Sequence, residues 1–191
     1  MGIVTLAKLC TMLAAGLFFL PSQGHLEKGS QAERKCNRDA AVATTHLVGR
    51  EAYIEMYAEM AVMEMRWSWI PASVTLAQGI LESDSGTSML AMVANNHFGI
   101  ICKEDHAAGP HCVWEKDRGN WRRFLRHESV AESFRQHTLV LRKPRYRELF
   151  KLTDYRSWCH GLQRLGYAED RKYASTLISI IETNDLTRYD N

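Results

Sequence analysis

From about Ala40 to Trp69, apolar residues recur at three- and four-residue intervals: Leu47, Tyr53, Ile54, Tyr57, Met60, Ala61 and Met65, with Glu and Arg between them. That spacing predicts an amphipathic helix. Its methionine-rich stretch, Met56 to Met65, reads as adaptable core packing. Pro71 suits the first turn of a second helix, where its missing N–H is not needed. Val74, Ala77, Ile80 and Leu81 give that helix a buried stripe, and Gly86 closes the segment. A short helix over about Ser88 to Ala94 runs up to "NNHFG". Between Ile100 and His127 the helical period fails. Gly109-Pro110 and Arg118-Gly119-Asn120 are turn chemistry, and "HCVWE" and "WRRFLRH" are strand-like, so a β-hairpin or two is predicted here.

Helices then resume. In "SVAE", Ser129 and Glu132 match a capping box ahead of Phe134, His137, Thr138 and Leu141. Pro144 stops that helix, and a short one follows at Arg145 to Lys151. Thr153 or Asp154 starts another, which Gly166 ends. Asp170 is placed to cap the last, in which Tyr173, Leu177, Ile180 and Ile181 face the core. Six or so helices around one small β element make this an α+β protein, mostly α.

The ends of the chain read differently. Lys8, the apolar run Leu9 to Leu20, Pro21, and the small residues Ser22 and Gly24 form a secretory signal pattern over residues 1–24. An uncleaved anchor is the rival reading, since Ile3 to Leu20 carries a single charge. Residues 25–39 are polar without period and read as a flexible lead-in; residues 40–191 read as one domain, expected to be a monomer. No later segment is apolar enough to span a membrane, so no membrane association is expected once residues 1–24 are removed.

Composition narrows the function classes. With 46% hydrophobic and 24% charged residues the chain is globular. Its formal charge is +2, and loss of residues 1–24 removes Lys8 and no acid, leaving +1. That balance argues against a nucleic-acid binder. The basic clusters "RGNWRRFLRH" and "RKPRYR" read as solvated faces, with attraction to an anionic polymer as the functional alternative. Of five cysteines, four lie beyond residue 24: Cys36, Cys102, Cys112 and Cys159. Cys102 and Cys112 are close enough in sequence to staple one loop. Together with His106 and His111 they lack a standard zinc spacing, so no metal is expected. There is no phosphate loop, dinucleotide fingerprint or HExxH pair, and no cofactor is expected. Cys159 and His160 are helical neighbours that do not face each other, so they form no nucleophile pair.

The chemistry concentrates in "IPASVTLAQGILESDSGTSMLA". Gln78 and Glu82 are four apart and project from one helical face. Glu82 stands at the edge of an apolar floor in a last helical turn. Desolvation and the negative helix end both favour its protonated form there. A protonated Glu near neutral pH is what a general acid for glycoside cleavage requires. A solvated helix-end Glu is the bland alternative.

That stretch, followed in order by "NNHFGI", "SVAESFRQH" and "LGYAEDRKYASTLISIIE", closely resembles the successive motifs of glycoside hydrolase family 73, the bacterial N-acetylglucosaminidases, over roughly residues 50–190. The resemblance implies a lysozyme-like fold, with a helical lobe and a small β-lobe flanking a sugar groove. It implies hydrolysis of the N-acetylglucosaminyl-β-1,4-N-acetylmuramyl bond of peptidoglycan, in a secreted or periplasmic setting. It places the catalytic acid at Glu82 and groove-lining or groove-shaping roles at Gln78, Asn96, His97, Phe98 and Gly99. Tyr167 corresponds to an aromatic that contacts the acetamido group or positions water. Phe98 and Tyr167 are equally compatible with core packing, and Trp114 and Trp121 either stack on sugars or pack the β-lobe. An inverting enzyme needs a second carboxylate across the cleft and a retaining one needs it nearer. Asp117 is the first candidate and Glu115 the second, with Glu104 and Asp105 further off. The β-lobe departs from the family pattern: Ile101 replaces the Lys of "FGIK", and "LRHES" replaces "FRxYxS". The substrate's own 2-acetamido group is therefore a possible second participant. A lytic transglycosylase and a non-catalytic wall-binding protein are the competing readings.

Overall fold

The computed structural model describes residues 31–103, 111–117 and 119–191, with side chains from Gly49 onward. The proposed signal segment 1–24 lies outside the described residues. The first helix, α1, spans Gln31–Ser68 and so begins earlier than the Ala40 start that the periodicity predicts. Tyr53, Ile54, Ala58 and Ala61 form its buried edge, while Met60 and Met65 are partly covered. Met56 and Met63 are exposed, so only half of the methionine stretch is core packing.

Helix α2, Ala72–Ser83, is buried continuously from Ala72 to Ile80. A helix apolar all round belongs at the centre of a domain, and α2 packs against α5, α6 and the last 3-10 turn. Leu81, read from sequence as part of the buried stripe, is exposed. It sits in the last turn, where α2 emerges from the core. Pro71 is the N-cap of α2 and has no side-chain cap to offer. Asp190 substitutes: its Oδ1 accepts from the Ser73 N–H at 2.8 Å and its Oδ2 from the Ser73 hydroxyl at 2.6 Å. Close packing of α1 on α2 needs Gly79, because a Cβ there would lie 3.2 Å from Tyr53 Cζ and closer still to its hydroxyl.

After Glu82 the chain turns through three consecutive left-handed residues, Asp84, Ser85 and Gly86. The two non-glycines are strained by roughly 1 kcal/mol each. Ser83 offsets this by donating to Gly79 O at 2.6 Å and accepting from Gly86 N at 2.7 Å. Helix α3, Met89–Ala94, follows with Ser88 as its cap.

Among the described residues the β element is a single hairpin. Strand β1, Cys112–Asp117, pairs antiparallel with β2, Asn120–Leu125, around a tight turn with Gly119 at φ +88°. On the other edge of β2, Ile101 bridges Phe124, and Leu125 N donates to Ile100 O at 2.8 Å. Cys102 and Cys112 form a disulfide that ties this edge to β1. Both sulfurs are thereby committed to each other, and among the described residues no group of His, Cys, Asp or Glu is arranged to hold a metal.

Helix α4, Val130–Leu141, is capped by Ser129, which accepts from Glu132 N; Glu132 returns the bond to Glu128 N rather than to Ser129. A 3-10 helix covers Pro144–Lys151. Helix α5, Tyr155–Arg164, takes Asp154 as its cap, and Gly166 at φ +67° turns the chain after it. Helix α6, Tyr173–Thr183, starts after a turn in which Asp170 Oδ1 accepts from Lys172 N, so Asp170 braces the turn instead of capping the helix. A last 3-10 turn, Leu186–Tyr189, carries Asp190 back to α2. Residues Ala40–Asn191 form one unit with one core. Among the described residues no helix is long and apolar enough to cross a membrane.

Candidate active site

Side chains of α2, α4 and α6, of the loop after α3 and of the loop before α6 meet at the C-terminal end of α2. Gln78 is fully buried there and Glu82, one turn on, is exposed. Tyr173, from the first turn of α6, joins them: its hydroxyl donates to Glu82 Oε1 at 3.0 Å and accepts from Gln78 Nε2 at 2.8 Å. Gln78 Oε1 in turn meets His137 Nε2, from α4, at 3.0 Å. Because Tyr173 gives its only proton to a carboxylate, Gln78 must present its amide N–H to the phenol and its carbonyl to the imidazole. His137 therefore carries its proton on Nε2. Every donor in the chain His137, Gln78, Tyr173 points toward Glu82.

The aromatic surroundings hold these groups in place. Phe98 stacks on His137 with ring centroids 4.1 Å apart. Tyr167 stacks on Tyr173 at 5.7 Å and meets His137 edge-on at 6.3 Å. Burial lowers the His137 pKa to about 3, so the imidazole is neutral. Burial, then the Tyr167 and Glu82 charges, raises Tyr173; burial, then Glu82 and Tyr146, raises Tyr167. Both phenols stay protonated and serve as hydrogen-bond donors beside the carboxylate.

The "NNHFG" residues occupy the wall behind this cluster. Asn96 Nδ2 donates to the carbonyls of Ile100 and Leu125, and its Oδ1 accepts from Ile100 N at 3.0 Å. It clamps the hairpin edge to the helical body. His97 pairs through Nδ1 with Tyr53 Oη at 3.0 Å, while its backbone N–H donates to Ser133 Oγ. Burial, then His127, lowers its pKa to about 4. Both side chains shape the site from behind, and Gly99 adopts φ +60° between them and the hairpin.

The other candidates sit on the hairpin. The register sets Trp114 opposite Arg123 and Lys116 opposite Trp121. Alternation then places Trp114, Lys116, Trp121 and Arg123 on one face, with Val113, Glu115, Asp117, Arg122 and Phe124 on the other. Asp117 is ion-paired to Arg122 at 3.1 Å. Glu115 lies across from Arg122 in the register. The structure thus joins Gln78 and Glu82 through the Tyr173 hydroxyl, sets Tyr167 against Tyr173 and His137 and Phe98 against His137, and puts Asp117, Glu115 and Trp114 on the β element. Glu104 and Asp105 lie outside the described residues. Tyr173 and His137 are the two site residues that sequence reasoning assigned only to helix faces.

A helical body with a carboxylate at the end of its central helix, beside a small β-hairpin, is a lysozyme-like scaffold. Residues 58–186 match the family described as mannosyl-glycoprotein endo-β-N-acetylglucosaminidase, and the chain belongs to this glucosaminidase family of glycoside hydrolases. It is 34% identical over 131 residues to the exo-glucosaminidase LytG of Bacillus subtilis, covering 62% of this chain and 45% of that protein. It is 29% identical over 136 residues to an autolysin of Enterococcus faecalis, covering 62% of this chain and 18% of that one. The chain thus spans less than half the length of these curated relatives. The catalytic domain of the autolysin Auto from Listeria monocytogenes superposes with a TM-score of 0.60 at 28% identity, over 82% of this chain and 97% of that one. The glycoside hydrolase domain of FlgJ from Salmonella typhimurium shares the fold, with a TM-score of 0.60 at 23% identity over 73% of this chain and 90% of that one.

Proposed function

We propose that this chain is an exported peptidoglycan hydrolase that cleaves the N-acetylglucosaminyl-β-1,4-N-acetylmuramyl bond with Glu82 as general acid. The observation that carries the reading is the directed hydrogen-bond chain ending on Glu82. A buried polar network is specific about geometry, and here it runs from the buried His137 to an exposed carboxyl. In this reading Oε1 accepts from Tyr173 and Oε2 carries the acidic proton. From there the proton passes to the glycosidic oxygen as the bond to the anomeric carbon breaks. Tyr167, protonated and packed on Tyr173, is the donor for the acetamido carbonyl or for water. The second carboxyl is assigned to Asp117 on the hairpin, with Glu115 as the alternative.

The names of the relatives, an exo-glucosaminidase and an autolysin, support cell-wall glycan as the substrate class. The pattern of residues 1–24 supports export. Clearing of purified peptidoglycan by the wild type and not by Glu82→Gln is the expected result; equal clearing by both removes Glu82 from its role, and no clearing by either favours a wall-binding protein. Mass spectrometry of the products distinguishes the reaction: a reducing-end N-acetylglucosamine marks hydrolysis, whereas an anhydro sugar marks a lytic transglycosylase. A second reading, assistance by the substrate's 2-acetamido group, draws on the ion pair that already engages Asp117. It predicts that Asp117→Asn and Glu115→Gln each keep activity within a few-fold of wild type.

A further inference from the structure

Trp114 is 64% exposed and Trp121 is 67% exposed, on the same face of the hairpin. Neither ring packs the β-lobe onto the helices; the buried aromatic of the hairpin is Phe124, on the opposite face. The two indoles border a shallow basin of about 590 Å³, whose walls also include Ile101, Lys103 and Arg123. Ile101 is itself 48% exposed. Arg123 lies 5.9 Å from the centre of the Trp114 ring, within cation–π range. Lys116 stands across from Trp121 on the same face.

The charges of the hairpin are sorted between its faces. Glu115 and Asp117 are on the Phe124 side, and Asp117 neutralises Arg122. Among the described residues no carboxylate is ion-paired with Lys103, Lys116 or Arg123. The result is a wet aromatic pair framed by three cations that have no carboxylate partner among the described residues. Exposed tryptophans of this kind offer large flat apolar area with little side-chain entropy to lose. Cations beside them select for a ligand that is flat and anionic at once.

We infer that this face is a subsite for carboxylate-bearing sugars: the indoles stack on pyranose rings while Lys103, Lys116 and Arg123 pair with carboxylates on the branches of the same strand. The inference rests on the peptidoglycan reading above and names the chemistry that this surface reads in it, namely the free carboxylates of the lactyl-peptide branches. A neutral glycan offers the rings without the charges. Single-stranded nucleic acid offers rings and charge, but the formal charge of +2 for the whole chain is small for a polyphosphate partner.

The test is co-sedimentation of the full chain with three insoluble glycans: purified sacculi, the same sacculi with carboxyls amidated by carbodiimide and methylamine, and chitin. Amidation is expected to weaken binding about tenfold, the effect of losing one or two good ion pairs at a partly desolvated site. Trp114→Ala/Trp121→Ala is expected to weaken binding to all three glycans. Lys103→Gln/Lys116→Gln/Arg123→Gln is expected to abolish the preference for native over amidated sacculi and leave chitin binding unchanged. Four of the five side chains are exposed and Arg123 is half-buried, and unchanged thermal melts verify that each variant is folded. Equal binding to native and amidated sacculi by the wild type overturns the inference, as does a triple variant that keeps the preference, or displacement by a single-stranded oligonucleotide at lower concentration than by a muropeptide. If sacculi are cleared normally while amidation has no effect, only the subsite fails; if sacculi are neither bound nor cleared, the peptidoglycan reading fails with it.

Discussion

The end of α2 and the β-hairpin hold their functional residues by opposite means. At α2 the polar groups are buried and directed: His137, Gln78 and Tyr173 come from three helices and end in a hydrogen bond to Glu82 Oε1. On the hairpin the aromatic and basic side chains stand in water, and order comes from the frame beneath them, namely the Cys102–Cys112 disulfide, the Ile101–Phe124 bridge and the Asn96 clamp. A proton donor must sit within a fraction of an ångström of its target, whereas a surface that reads ring faces and charge tolerates slack. Under the proposed function, one region sets turnover and the other sets what is bound.

Four measurements press on that contrast, beginning with the largest expected effect. Tyr173→Phe removes the hydroxyl shared by Glu82 and Gln78. It is expected to lower kcat by about 10²-fold with KM nearly unchanged, the scale of a hydrogen bond to a charged group. A KM effect alone would mean that Tyr173 belongs to binding. Replacing Cys102 and Cys112 together by Ser opens the frame of the hairpin, at an expected cost of about 2–3 kcal/mol from the chain entropy of a short loop. Activity is expected to fall through KM, since the Glu82 network is untouched; an equal loss in kcat would erase the division between the regions.

Gly79→Ala presses a methyl group into Tyr53, which cannot retreat without leaving His97. The expected loss is about 1–3 kcal/mol in chemical denaturation, in the range of overpacked cores. Acid perturbs the same side of the molecule without any substitution. Burial lowers the pKa of His97, His127 and His137 in the folded chain. The unfolded chain therefore binds more protons below about pH 6.5, and stability rises with pH in that range. The contribution is fully present above pH 6.5 and is lost as pH falls toward about 4 for His97 and about 3 for His137. Each histidine is expected to remove on the order of 1 kcal/mol per pH unit once the unfolded form is protonated. Thermal melts between pH 7 and pH 5 read this directly, and a flat Tm would show that these rings are not held neutral.

Much of the fold was legible in the sequence because helix periods, caps and turn residues are local signals. Ser88, Ser129 and Asp154 cap the helices that their positions announce, and the failure of the helical period after Ile100 coincides with the hairpin. Glu82 and Gln78 could be singled out by spacing on one helix. Tyr173 and His137 could not, since each looks like an ordinary member of a core-facing stripe. Their role exists only because α4 and α6 bring them to residues 59 and 95 positions away. Leu81 was misplaced for the converse reason: it fits the apolar stripe of α2, but the stripe leaves the core one turn before the helix ends.

The cap that Asp190 provides for α2 has a consequence for the order in which the molecule becomes complete. The N-terminal end of the helix bearing Glu82 is closed by a residue 117 positions later, and the carboxylate itself is aimed by one 91 positions later. Neither can be present when "LAQGILES" leaves the ribosome, and pairings this distant in sequence form late in folding. A nascent or partly folded chain thus holds Glu82 without its aim, and the arrangement is finished only after residues 173 and 190 have docked.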